Sequence, residues 1–171
     1  MKEIVFNEDN LTDKDINEEV TRVKALIINS NDEIMLGYSN KTYQFPGGHL
    51  EDGEDLNDGL IREIREETGI DIKDYSLYPF QKTTYLTKNY RNTGLNRKNN
   101  IYYFIVNTDE KENKDNMNLD AGEIEGNYTV KTIPLIDVEK TLIDSIPDNP
   151  INEIIVKEML EVIKEYRKLA V

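Results

Sequence analysis

Cysteine is absent from the 171 residues. Disulfides and thiolate chemistry are therefore excluded, and zinc would lack its favoured sulfur ligands. Histidine occurs once, at His49. No stretch approaches the roughly 18 consecutive apolar residues of a membrane span, and the opening MKEIVFNEDN lacks the apolar core of a signal peptide. Both absences lead to the expectation of a cytoplasmic chain with no membrane partner. Basic residues are in the minority, 21 Lys and Arg against 34 Asp and Glu, for a net charge of −13. A phosphate backbone needs a basic footprint, so no long nucleic acid is expected as a partner.

The charge is unevenly spread. From Tyr75 through Thr108 there is no Asp or Glu, whereas Lys82, Lys88, Arg91, Arg97 and Lys98 all occur. The rest of the chain holds all 34 acidic residues with 16 basic ones, −18 against +5 for this window. Eight of the fourteen aromatics, Tyr85 and Tyr90 among them, lie in the same window. A cationic, aromatic segment in an acidic protein suits a ligand carrying phosphates and a base. It equally suits a sheet-edge hairpin protected by Lys and Arg.

The chain reads as one domain without internal repeats, long enough for a hydrophobic core. Residues 1–18 are polar and weakly patterned, an expected loose arm with one short strand at Glu3–Phe6. β-Branched residues predict a strand over Val20–Ile28, and the turn cluster Asn29-Ser30-Asn31-Asp32 returns it as Glu33–Tyr38. A short strand at Thr42–Phe45 leads into Pro46-Gly47-Gly48, where glycine permits backbone angles closed to other residues. Two long strands are expected at Tyr75–Thr87 and Ile101–Asn107, with a projecting loop from Lys88 to Asn100. Another strand is expected at Tyr128–Ile133 and a short helix at Ile136–Leu142. The closing amphipathic helix, 151–169, presents Ile151, Ile154, Ile155, Met159, Val162, Ile163 and Tyr166 on one side.

The most informative stretch runs from Gly48 to Ile70. Asp55 to Thr68 reads as a helix stopped by Gly69. Helical spacing brings Glu63, Glu66 and Glu67 within about a 100° arc. Such carboxylates repel one another, and a divalent cation relieves the repulsion; oxygen ligands suit Mg²⁺, with Mn²⁺ as the alternative. A solvated acidic face is the competing reading. Against it, Leu56, Leu60 and Ile64 form a core-facing stripe, and Glu67 falls inside its arc, where a carboxylate needs a partner or a cation. Gly59, inside the helix, is accounted for by a close helix–sheet contact.

The spacing Gly48, five residues, Glu54, seven residues, then Arg62-Glu63-Ile64-Arg65-Glu66-Glu67-Thr68-Gly69-Ile70 resembles the Nudix box at every defined position. That resemblance implies an α/β/α sandwich with a mixed β-sheet between helices. It implies hydrolysis of a nucleoside diphosphate linked to another group, a small-molecule substrate, and metal ligation by Glu63, Glu66 and Glu67 with the Gly48 carbonyl. Glu63 or Glu66 would take the proton of the attacking water. Arg62 would orient carboxylates, with Glu54 either paired to it or capping the helix. Many relatives draw a further carboxylate from downstream, for which Glu123 and Glu125 stand in position. Lys88, Arg91, Arg97, Tyr85 and His49 are the candidate substrate contacts. A nucleoside triphosphate or modified nucleotide, cut to the monophosphate with release of pyrophosphate, is the leading substrate class. A nucleoside diphosphate sugar or dinucleoside polyphosphate comes next, and a nucleotide-sensing module without turnover last. The sequence leaves open whether the chain acts alone or as a homodimer.

Overall fold

The computed structural model describes residues 1–169. Seven strands, β1 (Lys2–Phe6), β2 (Glu18–Ile28), β3 (Glu33–Ser39), β4 (Thr42–Gln44), β5 (Pro79–Thr87), β6 (Arg97–Asn107) and β7 (Thr129–Pro134), form one sheet. Their order is β1-β5-β6-β2-β3-β4, with β7 on β3. The sheet is mixed: β1 runs parallel to β5 and β2 parallel to β6, and the remaining pairs are antiparallel. Helices α1 (Leu56–Thr68), α2 (Ala121–Glu125), α3 (Val138–Asp144) and α4 (Asn152–Leu169) complete the α/β architecture.

Strand periodicity assigns the two faces. Val23, Ala25 and Ile27 of β2 pack with Leu60 and Ile64 of α1. Leu26 and Ile28 pack with Val138 and Leu142 of α3 and with Val156, Met159, Val162 and Ile163 of α4. Both apolar layers therefore share the one sheet, as a sandwich requires.

Several boundaries differ from the sequence reading. β6 begins at Arg97 rather than Ile101, so the projecting segment is shorter than expected. Asn100, a poor strand former, is held there by Thr84 Oγ1 at 2.9 Å and Glu19 Oε1 at 2.7 Å. Tyr75 lies in a turn before β5, its hydroxyl donating to Thr108 Oγ1 at 2.9 Å. The N-terminal arm is not loose: after β1, the amides of Asn17 and Glu18 donate to Asn96 O at 2.9 and 3.2 Å. On α4, Ile151 and Ile154 are exposed and Asn152 is buried. Its amide bonds Ser145 O, Lys41 O and the Thr42 hydroxyl, which rotates the first turn away from the expected stripe.

The sheet opens where the site lies. β2 pairs β3 only at Ile27↔Met35 and Ile28↔Ile34. Beyond that point β4 takes the same edge of β3, at Gly37 to Ser39, and the segment 46–50 takes the vacated edge of β2. Ala25 N donates to Pro46 O, Val23 N to Gly48 O and Leu50 N to Thr21 O, at 2.9–3.0 Å. Gly47 makes this possible: at φ +132° its missing Cβ would stand 2.1 Å from Val23 O.

The C-terminal end of α1 is closed in a similar way. Gly69 adopts φ +75°, and the last carbonyls, Glu66 O and Thr68 O, accept from Asn118 N and Asn113 N at 2.9 and 2.8 Å. A Cβ on Gly69 would meet Asn113 O at 1.9 Å. Gly69→Ala therefore combines a positive-φ penalty with a backbone clash and should destabilise the fold by about 2 kcal/mol or more. Urea denaturation would measure it; a midpoint unchanged within error would contradict the packing described.

Candidate metal and diphosphate site

Asp55 starts α1 by accepting from Asn57 N and Asp58 N at 2.8 and 2.9 Å. Glu54 is thereby free of capping and engages Arg62 side-on, Nε to Oε1 at 2.9 Å and Nη2 to Oε2 at 2.8 Å. The same guanidinium donates to Glu63 Oε1 at 2.8 Å, Glu66 Oε2 at 3.2 Å and the His49 carbonyl at 2.9 Å. One planar cation thus orients three carboxylates and ties the glycine loop to the helix. Its pKa is raised, first by the Glu54 bond, and Glu54 is held below its usual range by the same bond.

Gly59 fits this arrangement differently from the reading above. Its nearest neighbours are Leu50 Cδ2, 2.2 Å from where a Cβ would stand, and Glu54 Oε2 at 3.0 Å. The close approach is to the loop preceding α1, not to the sheet. Gly48 is also crowded: a Cβ there would lie 2.5 Å from Glu63 Oε2.

Glu67 shares the arc of Leu60 and Ile64 and is 8% exposed. Its Oε2 accepts from Gly47 N at 2.8 Å and Tyr128 Oη at 3.1 Å. Burial, the largest cause, drives its pKa well above the usual carboxylate range, and Glu123 and Glu63 add repulsion. Glu63 is raised as well, by burial first, against the pull of Arg62. Tyr128 is pushed up by burial and then by Glu67. Its ring lies where a Cβ on Gly37 would fall, 2.4 Å from its hydroxyl.

The connector bonds at the end of α1 carry α2 over the same cleft. Asp120 and Glu123 form a capping box, Asp120 Oδ1 accepting from Glu123 N and Glu123 Oε2 from Asp120 N, at 2.8 and 2.7 Å. A cleft of about 590 Å³ brings together Gly48, His49, Arg62, Glu63, Glu66, Glu67 and Glu123, with Arg22 and Tyr128 on its walls. Among the described residues, no three acidic or imidazole groups already converge tightly enough to enclose an ion. Arg62 draws Glu63 and Glu66 to itself, and the Gly48 carbonyl accepts from Val23 N at 3.0 Å. The donor set nevertheless fits a hard divalent cation: oxygen ligands only, crowded, with Glu63 and Glu67 carrying raised pKa values that a cation would reverse.

The other expected contacts lie outside this cleft. Tyr85 donates to Glu158 Oε2 at 2.7 Å, beneath α4. Arg97 pairs with Glu18 at 2.7 Å and stacks 3.8 Å from the Tyr90 ring centroid, with Arg91 at 5.2 Å from the same centroid. Lys88 is exposed, its backbone amide bonded to Asp9. His49 is held below its ordinary pKa by burial first, then by Arg22, Arg97 and Lys24, so its ring is neutral at neutral pH. Sequence reasoning passed over Arg22 and Tyr128, neither of which sits in a motif.

Comparison with known proteins agrees with this geometry. The description "NUDIX domain" matches residues 19–149. This chain is a member of the Nudix family. Residue identity is 35% over 69 residues with Nudix hydrolase 2 of Arabidopsis thaliana, covering 36% of this chain and 24% of that protein. It is 49% over 35 residues with the 8-oxo-dGTP diphosphatase of Proteus vulgaris, covering 20% of this chain and 31% of that one. The chain thus matches about a quarter to a third of the length of these curated relatives. The fold is shared with a C. elegans Ap4A hydrolase at TM-score 0.55 and 16% identity, over 88% of this chain and 97% of the other. Nudix proteins generally use a divalent metal. Among the described residues no helix is long and apolar enough to cross a membrane.

Raised carboxylate pKa values at Glu63 and Glu67 have a thermodynamic sign. A carboxyl whose folded pKa exceeds its unfolded one contributes stability below the unfolded value, and that contribution is lost as pH rises through the folded value. The cation-free Nudix protein should therefore weaken as pH rises above the ordinary Glu value of about 4.3, and Mg²⁺ should restore it. The melting-temperature gain on adding Mg²⁺ is expected to grow from about pH 5 to about pH 8; a gain independent of pH would contradict the burial assigned to these groups.

Proposed function

We propose that the chain hydrolyses a nucleoside diphosphate derivative, with Mg²⁺ held among Glu63, Glu66, Glu67 and Glu123 and the free lone pair of the Gly48 carbonyl. Mn²⁺ is the alternative cation. When bound, such a cation neutralises charge that develops on phosphate oxygens and lowers the pKa of a water. The observation that carries the reading is Glu67: a carboxylate buried in the core-facing arc of α1, faced by Glu63 and Glu123 and, among the described residues, without a cationic side-chain partner. A nucleotide-sensing module without turnover would not need every acidic position of the box to be present.

The chain's own residues then divide the work. Arg62, fixed by Glu54, holds Glu63 and Glu66 in place. Glu66, the most exposed of the three carboxylates on Arg62, accepts the proton of the attacking water, with Glu63 as the alternative base. Lys88 and Arg91, between β5 and β6, and Arg97 at the start of β6 lie outside the cleft and add a positive field that draws phosphates toward it; His49 lines the cleft, and Tyr85 stays bonded to Glu158 away from it. The substrate class is a nucleoside triphosphate or a modified nucleotide: water adds to one phosphorus of the α–β anhydride, the bridging P–O bond to that phosphorus breaks, and the nucleoside monophosphate and pyrophosphate separate. The likeness over 35 residues to the 8-oxo-dGTP diphosphatase supports this class.

Release of phosphate, pyrophosphate or AMP from nucleoside triphosphates, ADP-ribose, diadenosine polyphosphates and 5′-triphosphate RNA, with and without Mg²⁺, tests the reading. Glu67→Gln keeps the acceptor for Gly47 N and Tyr128 Oη, so folding should survive. Hydrolysis should fall by roughly 10²- to 10³-fold, the scale for removing one electrostatic contributor, with Mg²⁺ affinity weakened in calorimetry. Full activity in Glu67→Gln would refute the assignment.

A further inference from the structure

Three buried side-chain polar atoms have no hydrogen-bond partner among the described residues: Arg22 Nε, Asn99 Oδ1 and Gln81 Oε1. The β2–β6 register sets Arg22 beside Ile101 and Asn99 beside Val20, so Arg22 and Asn99 are diagonal neighbours on the face beneath α4. Their side chains can reach one another, yet they do not bond. The other cations of this face are matched: Lys24 with Glu158 at 3.5 Å, Arg97 with Glu18 at 2.7 Å and Lys2 with Glu165 at 3.0 Å. Arg22 has no carboxylate and no side-chain hydrogen bond among the described residues. Burial pulls its pKa below the ordinary value, Tyr90 and Glu158 oppose this, and Arg97 and Arg91 add to it. Arg22 is half-buried, and its buried Nε–H, a donor without an acceptor, destabilises the free protein.

Its position says what is missing. Arg22 is on the wall of the carboxylate cleft, bridged through its backbone to His49, one residue after Gly48. Two acids of the cleft, Glu63 and Glu66, are already bound to Arg62. We propose that Arg22 anchors the substrate by gripping oxygens of the phosphate that the carboxylate-held cation leaves free. The anchor rests on the pyrophosphohydrolase reading above and adds a binding residue to it. A planar fork of donors matches two phosphate oxygens, which an ammonium does not.

The test uses inorganic pyrophosphate with Mg²⁺ on the full chain. Arg22→Met keeps the bulk of the stem and removes the unmatched charge. The melting temperature should rise by a few degrees, while the dissociation constant for pyrophosphate increases tenfold or more in calorimetry. KM for a turned-over nucleotide should rise by a similar factor with kcat within about threefold. Unchanged pyrophosphate affinity overturns the anchor, whatever the melting temperature does, as does pyrophosphate that binds neither protein. If affinity and stability both fall, Arg22→Lys decides: partial recovery of affinity sustains the anchor, and none overturns it. Binding through Arg22 with no hydrolysis across the substrate panel would sink the enzymatic reading and leave the anchor standing.

Discussion

The site depends on one guanidinium. Among the described residues, Arg62 alone touches Glu54 before α1, Glu63 and Glu66 on α1, and the His49 carbonyl after the glycines. Acidic groups on adjacent helical turns would otherwise splay apart into solvent. A lysine could neutralise them, but a single ammonium cannot hold one carboxylate by two parallel bonds while reaching two more and a carbonyl. The acidic helix is therefore prepared for a cation by a permanent internal one, which fixes direction without occupying the buried Glu67.

Around that clamp, two kinds of constraint meet. Glu67 is placed by core packing of its own helix face, Glu63 and Glu66 by their bonds to arginine. Glu123 arrives by a third route, through the connector that satisfies the free carbonyls at the end of α1. Local helix geometry, an ion-pair network and a helix-terminus repair thus each deliver a carboxylate to one cleft. The last delivery is the least rigid, because Glu123 belongs to a five-residue helix and also caps it.

How much of this was legible follows from the range of the interactions. The box helix, its Gly69 stop, the burial of Glu67 and the β2–β3 hairpin are local, and residue spacing foretold them. The choice between pairing and capping for Glu54 was not legible, because Asp55 offers an equally good cap and only the three-dimensional reach of Arg62 decides. The parallel pairings of β1 with β5 and β2 with β6 join residues about eighty positions apart in the chain, and no hydrophobic pattern encodes a partner. Gly59 was misread for a related reason: a missing side chain announces a close neighbour without naming it. Arg22 left a single trace, as one of two cations at alternate positions of β2, where Lys24 found an acid and Arg22 did not.

The segment 46–50 replaces a strand along β2, so the glycines of the site are woven into the sheet rather than draped over it. For them to swing outward, Val23 and Ala25 would have to surrender amide partners within the hydrophobic interior. The mouth of the cleft is consequently a fixed jaw. Whatever adjustment different guests demand falls to the opposite rim, formed by the one-turn helix that carries Glu123.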